Sequence, residues 1–235
     1  MALLGSAALA MWWDIAPEVR ADFEDWHAHE HFPERLAIPG FLRGTRWGSA
    51  DGGDGMFVVY ELERHETLSS PAYLARLNAP TPWSTRLMPH HRGMVRSQCR
   101  VVATRGGLTA AHALTMRLVP APGRGEALHA FFAALVDELP RRPGLTGAHL
   151  LRHDAPDIAA TREQAIRSHR DRSADLIAVV CGYDRAALEA VQTGELGADG
   201  LAALGAEPDV QTGLYTLACS ATPGDVDVPA ALRSP

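Results

Sequence analysis

Only three cysteines occur in the 235 residues, Cys99, Cys181 and Cys219, odd in number and far apart, and no CxxC pair exists. A disulfide framework or a thiolate zinc site needs closely spaced, paired cysteines, so neither is expected and a reduced cytoplasm is the expected setting. No segment approaches the ~20 consecutive apolar residues of a membrane-spanning helix. The apolar start, residues 1–10, lacks the basic leader of a secretory signal and is not read as one. There is no excess of positive charge either. The formal charge is −6 and scattered, which argues against a nucleic-acid partner or an anionic membrane surface. GxSxG, Walker, GxGxxG and HExxH motifs are all absent.

What is present is a globular composition, 46% apolar and 21% charged, and an order of elements that runs twice. The first pass reads as strand Ala8–Asp14, a helix opened by Pro17 and running to Leu36, strands Phe41–Gly48 and Met56–Leu62, a helix near Ser70–Leu77 with a short one near Thr81–Met88, and a closing strand Met94–Thr104. The second pass reads as strand Ala111–Val119, helix Glu126–Leu139, strands Leu145–Arg152 and Leu176–Gly182, helix Arg185–Gln192 and strand Thr212–Cys219. Two anchors align the halves. Pro39-Gly40 matches Pro143-Gly144, and Val58-Val59 matches Val179-Val180 with Arg64 against Arg185. The offset between these anchors grows, so the second half carries an insertion, read as a mixed-charge helix-like tract over Asp157–Arg172.

A four-stranded antiparallel sheet with helices on one face must bury its other face, and two such units can do so against each other. The expected fold is therefore α+β: two tandem ferredoxin-like repeats whose antiparallel sheets pack face to face as an intrachain α/β barrel. The first repeat spans 1–105, the second 106–222 with its insertion near 153–175, and 223–235 is a tail.

The stretch Trp26-His27-Ala28-His29-Glu30-His31-Phe32-Pro33, followed by Ile38-Pro39-Gly40-Phe41, resembles the dimeric α/β-barrel superfamily in its fused form, nearest the EthD-like and muconolactone-isomerase-like branches. The resemblance covers roughly residues 7–220. That superfamily holds isomerases, cyclases, monooxygenases and haem proteins, so the resemblance implies a fold and leaves the reaction open.

The first helix carries the densest chemical cluster. Counted at ~100° per residue, Val19, Phe23, Trp26 and Glu30 share a stripe, with His27 and Glu34 beside it, His31 further round and His29 on the far flank. A carboxylate on an apolar face is suited to acid–base work, so Glu30, His31 and His27 are the expected catalytic residues. Trp26, Trp47, Tyr60 and Arg46 are the expected substrate-binding ones. In the second repeat the matching positions are Phe131, Ala134 and Leu135, so one half carries polar groups where the other carries core. His27 and His31 are spaced to share a metal, but no third ligand is evident, and none is expected. The loop pair His90-His91 has no evident partner, and neither have His149 and His153. The leading expectation is a small-molecule-binding protein, an isomerase, cyclase or lyase moving a proton on a small cyclic or aromatic acid or ketone without a cofactor. A non-catalytic ligand-binding or assembly protein is the alternative. A haem protein with His31 or His27 as axial ligand is a further one. A homodimer of the pseudo-dimeric chain is also left open.

Overall fold

Eight strands close into one antiparallel barrel in a computed structural model that describes residues 3–167 and 171–227. The strands are β1 (Ala7–Ile15), β2 (Phe41–Ser49), β3 (Gly55–Leu62), β4 (His91–Gly106), β5 (His112–Leu118), β6 (Leu145–His153), β7 (Leu176–Gly182) and β8 (Gln211–Ala221). Their order around the barrel is β1-β3-β2-β8-β5-β7-β6-β4. Within each half the order is that of a ferredoxin-like unit, β4-β1-β3-β2 and β8-β5-β7-β6. The pairings β2–β8 and β4–β6 join the halves. The two sheets thus share ladders at both seams and leave no open edge between them.

Alternation along each strand divides the apolar residues between two sides. Ala8, Ala10 and Trp12 on β1 point inward with Trp47, Phe57 and Val59. There the indoles of Trp12 and Trp47 stack on either side of Phe57, at 4.9 and 5.0 Å between ring centroids. Met11, Trp13 and Ile15 point outward with Val58 and Tyr60, beneath the first repeat's helices. The second repeat builds its own outer core from Leu114, Met116, Leu128 and Phe132.

The helices are α1 (Arg20–Trp26), α2 (Phe32–Leu36), α3 (Pro71–Asn78), α4 (Pro82–Leu87), α5 (Gly125–Glu138), α6 (Arg162–Arg167), α7 (Arg185–Thr193) and α8 (Ala198–Leu204). The matched Pro-Gly pairs have matching jobs. Gly40 and Gly144 take φ of +92° and +86°, a region that glycine enters without strain. Each carbonyl then accepts from the residue just past the third strand of its own repeat, Glu63 N at 2.9 Å and Tyr183 N at 3.0 Å.

Two expectations change. The single helix Pro17–Leu36 is broken: α1 and α2 are joined by a π-helical turn over His27–His31, where Phe32 N–H donates to the carbonyl of His27. Pro33 supplies the cause, since it has no N–H for the carbonyl of His29 and so interrupts the regular ladder. Among the described residues the insertion is mostly irregular, with α6 its one helix, and it does not stay on its own repeat. It crosses to the first half, where Arg172 exchanges backbone bonds with Met94 and Arg96. Glu163 and Arg167 are buried there and not solvated as a mixed-charge surface would be. Arg170 and the tail beyond 227 lie outside the described residues.

Candidate functional site

Between the outer face of the first repeat's sheet and its helices lies a cavity of about 40 Å³, room for about three waters. Trp13 from β1 and Tyr60 from β3 form part of its floor. Trp26, His27 and His31 come from α1 and the π turn, and α6 closes it with Glu163 and Arg167. Five polar atoms on its walls are buried without a hydrogen-bond partner: Trp13 Nε1, His27 Nδ1, His31 Nδ1, Arg35 Nη1 and the Tyr60 hydroxyl. Two of them, His31 Nδ1 and Arg35 Nη1, lie 3.6 and 3.8 Å from Glu34 Oε2, which leaves Trp13 Nε1, His27 Nδ1 and the Tyr60 hydroxyl as the groups here free to meet polar atoms from outside the chain, water included.

The π turn sets the geometry. Its wider bonding pattern brings His27 and His31 to the same side, 1% and 8% exposed, with rings 5.5 Å apart. Such turns recur at functional sites. The same change rotates Glu30 away. Glu30 is half-buried outside the cavity, where its carboxylate accepts from Trp26 Nε1 at 3.1 Å and from Thr81 Oγ1 at 2.5 Å. Of the expected site residues, the structure therefore brings together His27, His31, Trp26 and Tyr60. It does not bring Glu30, Trp47 or Arg46 to the cavity wall. Trp47 faces the barrel interior, on the other side of the sheet. Arg46 lies on the helix side but beneath α1, where its Nη1 reaches the carbonyl of Glu24 at 3.4 Å.

Several residues that the sequence reading passed over belong to the site. His91 is one: β4 begins there, three residues earlier than its apolar pattern indicates, and the ring is buried against Trp13 and Phe23. Its Nδ1 donates to the Met88 carbonyl at 2.8 Å, which leaves Nε2 as an acceptor. Glu34, Arg35, Arg76 and Glu163 form a buried ionic network beside the cavity. Glu34 accepts from Arg76 at 3.0 and 2.5 Å and lies 3.6 Å from His31 Nδ1, while Arg35 pairs with Glu163 on α6. The sequence signal for Glu34–Arg35 was their place one turn past His31; nothing local announces Glu163, which arrives from the insertion.

Burial dominates the protonation states. It holds His27 well below the ordinary imidazole value, reinforced by the Arg46 guanidinium. It likewise brings His91 down to about 3. Burial alone would raise Glu34, yet Arg35, His31 and Arg76 hold it at about 2, so it is ionised. Burial pushes the Tyr60 phenol well up, and it stays a donor. At neutral pH the cavity thus offers neutral imidazoles as proton acceptors, and a phenol and a guanidinium as donors.

The second repeat has no counterpart. Its equivalent gap is about 10 Å³, walled by Phe132, Leu135, Val136 and other apolar groups together with His149, whose Nε2 is buried without a hydrogen-bond partner. Leu135 is buried as expected, whereas Ala134 is exposed and Phe131 only partly covered. The halves differ in cavity size and in the number of polar groups on the walls; the position-by-position match through the helix does not hold. Among the described residues no group of three His, Cys, Asp or Glu side chains is placed to hold a metal, and no helix is long and apolar enough to cross a membrane.

No family model matches the chain, and no curated protein matches it. Solved structures do. An anthrone oxidase-like protein aligns with a TM-score of 0.64 at 12% identity, covering 98% of this chain and 99% of its own. A monooxygenase candidate from Fusobacterium nucleatum gives 0.61 at 8%, covering 95% and 98%. Another from Lactobacillus acidophilus gives 0.52 at 7%, covering 94% and 98%. These matches run the full length of the barrel and do not point to the EthD-like branch.

Proposed function

We propose that this chain, which has the dimeric α/β-barrel fold with both halves in one polypeptide, takes the reacting end of a small organic molecule into the first-repeat cavity and moves a proton on it without a cofactor. The observation that carries this reading is the unpartnered, neutral His27 imidazole in a small buried cavity walled by aromatic, aliphatic and charged side chains. At about 40 Å³ it admits only the reacting carbonyl end of a ketone or keto acid, whose ring stays outside it.

The step balances as follows. His27 takes a proton from the carbon beside a carbonyl, the C–H electron pair moves into an enolate, and the enolate oxygen accepts from Tyr60 and Arg35. Return of the proton to a different atom completes an isomerisation, with His31 as the second carrier beside Glu34. Glu30 has no part in this scheme, because its carboxylate is already committed to Trp26 and Thr81. The oxidase- and monooxygenase-named neighbours support a second fate for the same enolate, reaction with dioxygen. Haem has less support: neither His27 nor His31, the two expected axial ligands, lines the larger cleft of about 710 Å³ beside the site, and no step is routed through one.

The test is solvent deuterium uptake by phenylpyruvate and 2-tetralone, followed by NMR with oxygen consumption read in parallel. Exchange should be catalysed by the wild type, fall at least a hundredfold in His27→Ala, and change less than threefold in Glu30→Gln. Equal exchange by wild type and His27→Ala would refute the assignment. Oxygen uptake coupled to exchange would select the oxygenase fate.

A further inference from the structure

A cleft of about 710 Å³ borders the site cavity, formed where the insertion passes over β4 and β6 and lined by Gln98, His153, Ile158, Gln164 and Asp171. One side chain lines both spaces, Arg96 of β4. Its Nη2 donates to the Tyr73 hydroxyl at 2.8 Å, and Tyr73 is itself a wall of the inner cavity.

The ionic groups around this boundary are otherwise matched. Arg35 and Arg76 face Glu34 and Glu163, and Arg167 is held in a two-bond pair by Asp171 at 3.2 and 2.7 Å. Arg96 has no carboxylate within 4 Å among the described residues; its backbone neighbour Arg172 has none either, but is exposed and lines a different cleft. A partly buried guanidinium with one neutral partner is an electrostatic vacancy for an anion. One uncompensated positive charge suits a monoanion, hence a carboxylate in preference to a phosphate dianion.

Resting on the proposed proton-transfer reading, we infer that the substrate is a carboxylic acid whose carboxylate docks on Arg96 from the cleft under the insertion. Its ring system then occupies the cleft and its reacting carbon points toward His27. The insertion, contributed by the second repeat, is thereby the outer wall of the first repeat's binding site. Arg96 is a specificity residue: it holds the acid and takes no proton.

Binding of 2-naphthoate and of neutral 2-naphthamide, read by quenching of tryptophan fluorescence, tests this directly, since Trp13 and Trp26 line the cavity. Wild-type protein should bind naphthoate about 10- to 100-fold more tightly than naphthamide. Arg96→Met should erase that preference while leaving naphthamide unchanged, and Arg96→Lys should restore part of it. Tyr73→Phe removes the guanidinium's present partner but not its charge and should keep the preference, which separates anion binding from a packing defect. An undiminished preference in Arg96→Met, equal binding of both compounds by the wild type, or no binding of either would overturn the inference. An acid-selective protein that exchanges no deuterium would sink the proton-transfer reading and leave the carboxylate site standing.

Discussion

Three buried imidazoles make stability fall with acid, and the Glu61 carboxyl, which burial raises above its ordinary value, works in the opposite sense. His27, His91 and His149 are 1%, 7% and 1% exposed. Burial brings His91 to about 3 and His149 to about 4, and holds His27 well below its ordinary value. In the unfolded chain each returns to about 6.5. Below that value the unfolded state binds a proton that the native state refuses, so stability is lost as pH falls, at about 1.4 kcal/mol per pH unit per histidine. Between pH 6.5 and 5, His91 and His149 together account for about 3 kcal/mol, and His27 adds to it. The carboxylate Glu34 does not interfere. Its native value of about 2 means that its contribution is intact above the unfolded value near 4.5 and is lost only below it. The assay is urea denaturation at half-unit steps from pH 8 to 5. The curve should be flat above pH 7 and steepen toward at least 2.7 kcal/mol per unit near pH 5. His91→Asn keeps a donor for the Met88 carbonyl and removes one titration, so it should lower that slope by about 1.4 kcal/mol per unit. A wild-type stability that varies by less than about 1 kcal/mol from pH 7 to 5 would refute the burial argument.

Two further substitutions separate the layers of the molecule. Trp47→Ala should cost about 3–5 kcal/mol in denaturant titrations by emptying the Trp12–Phe57–Trp47 stack, yet leave ligand affinity at the cavity within twofold. A loss of affinity with stability unchanged would mean that Trp47 serves the site after all. Glu163→Gln leaves the buried Arg35 with Glu34, 3.8 Å away, as its remaining charge partner and should cost about 1–3 kcal/mol; a change below about 0.5 kcal/mol would show that the pair between insertion and first repeat carries no weight.

The barrel was legible because its evidence is repeated and local. Pro39-Gly40 and Pro143-Gly144 impose the same turn, and Val58-Val59 and Val179-Val180 mark the same strand, so each half corroborates the other. The site was legible only where strand alternation or a regular helix decided the direction of a side chain. His27 and His31 were found, but with Glu30 in place of Arg35, because a continuous 100° count runs through Pro33 as if it could donate a hydrogen bond. Trp13 was hidden by its neighbour, since Trp12-Trp13 gives two equal indoles and no local rule for which one faces the helices. Arg96 and Glu163 meet the site across the chain's long-range topology, through a segment whose destination on the other repeat has no signature in its composition.

That crossing has a consequence in time. During synthesis the first repeat emerges with His27, His31 and Arg35 already in place but without the insertion that roofs them. Strands β2 and β4 wait with one edge bare until β8 and β6 arrive to pair with them. At about 5–20 residues per second that wait is on the order of ten seconds, long for two unpaired strands in a crowded cell. The fused chain therefore trades the search for a second subunit for a period of exposure on the ribosome, ended by its last strand.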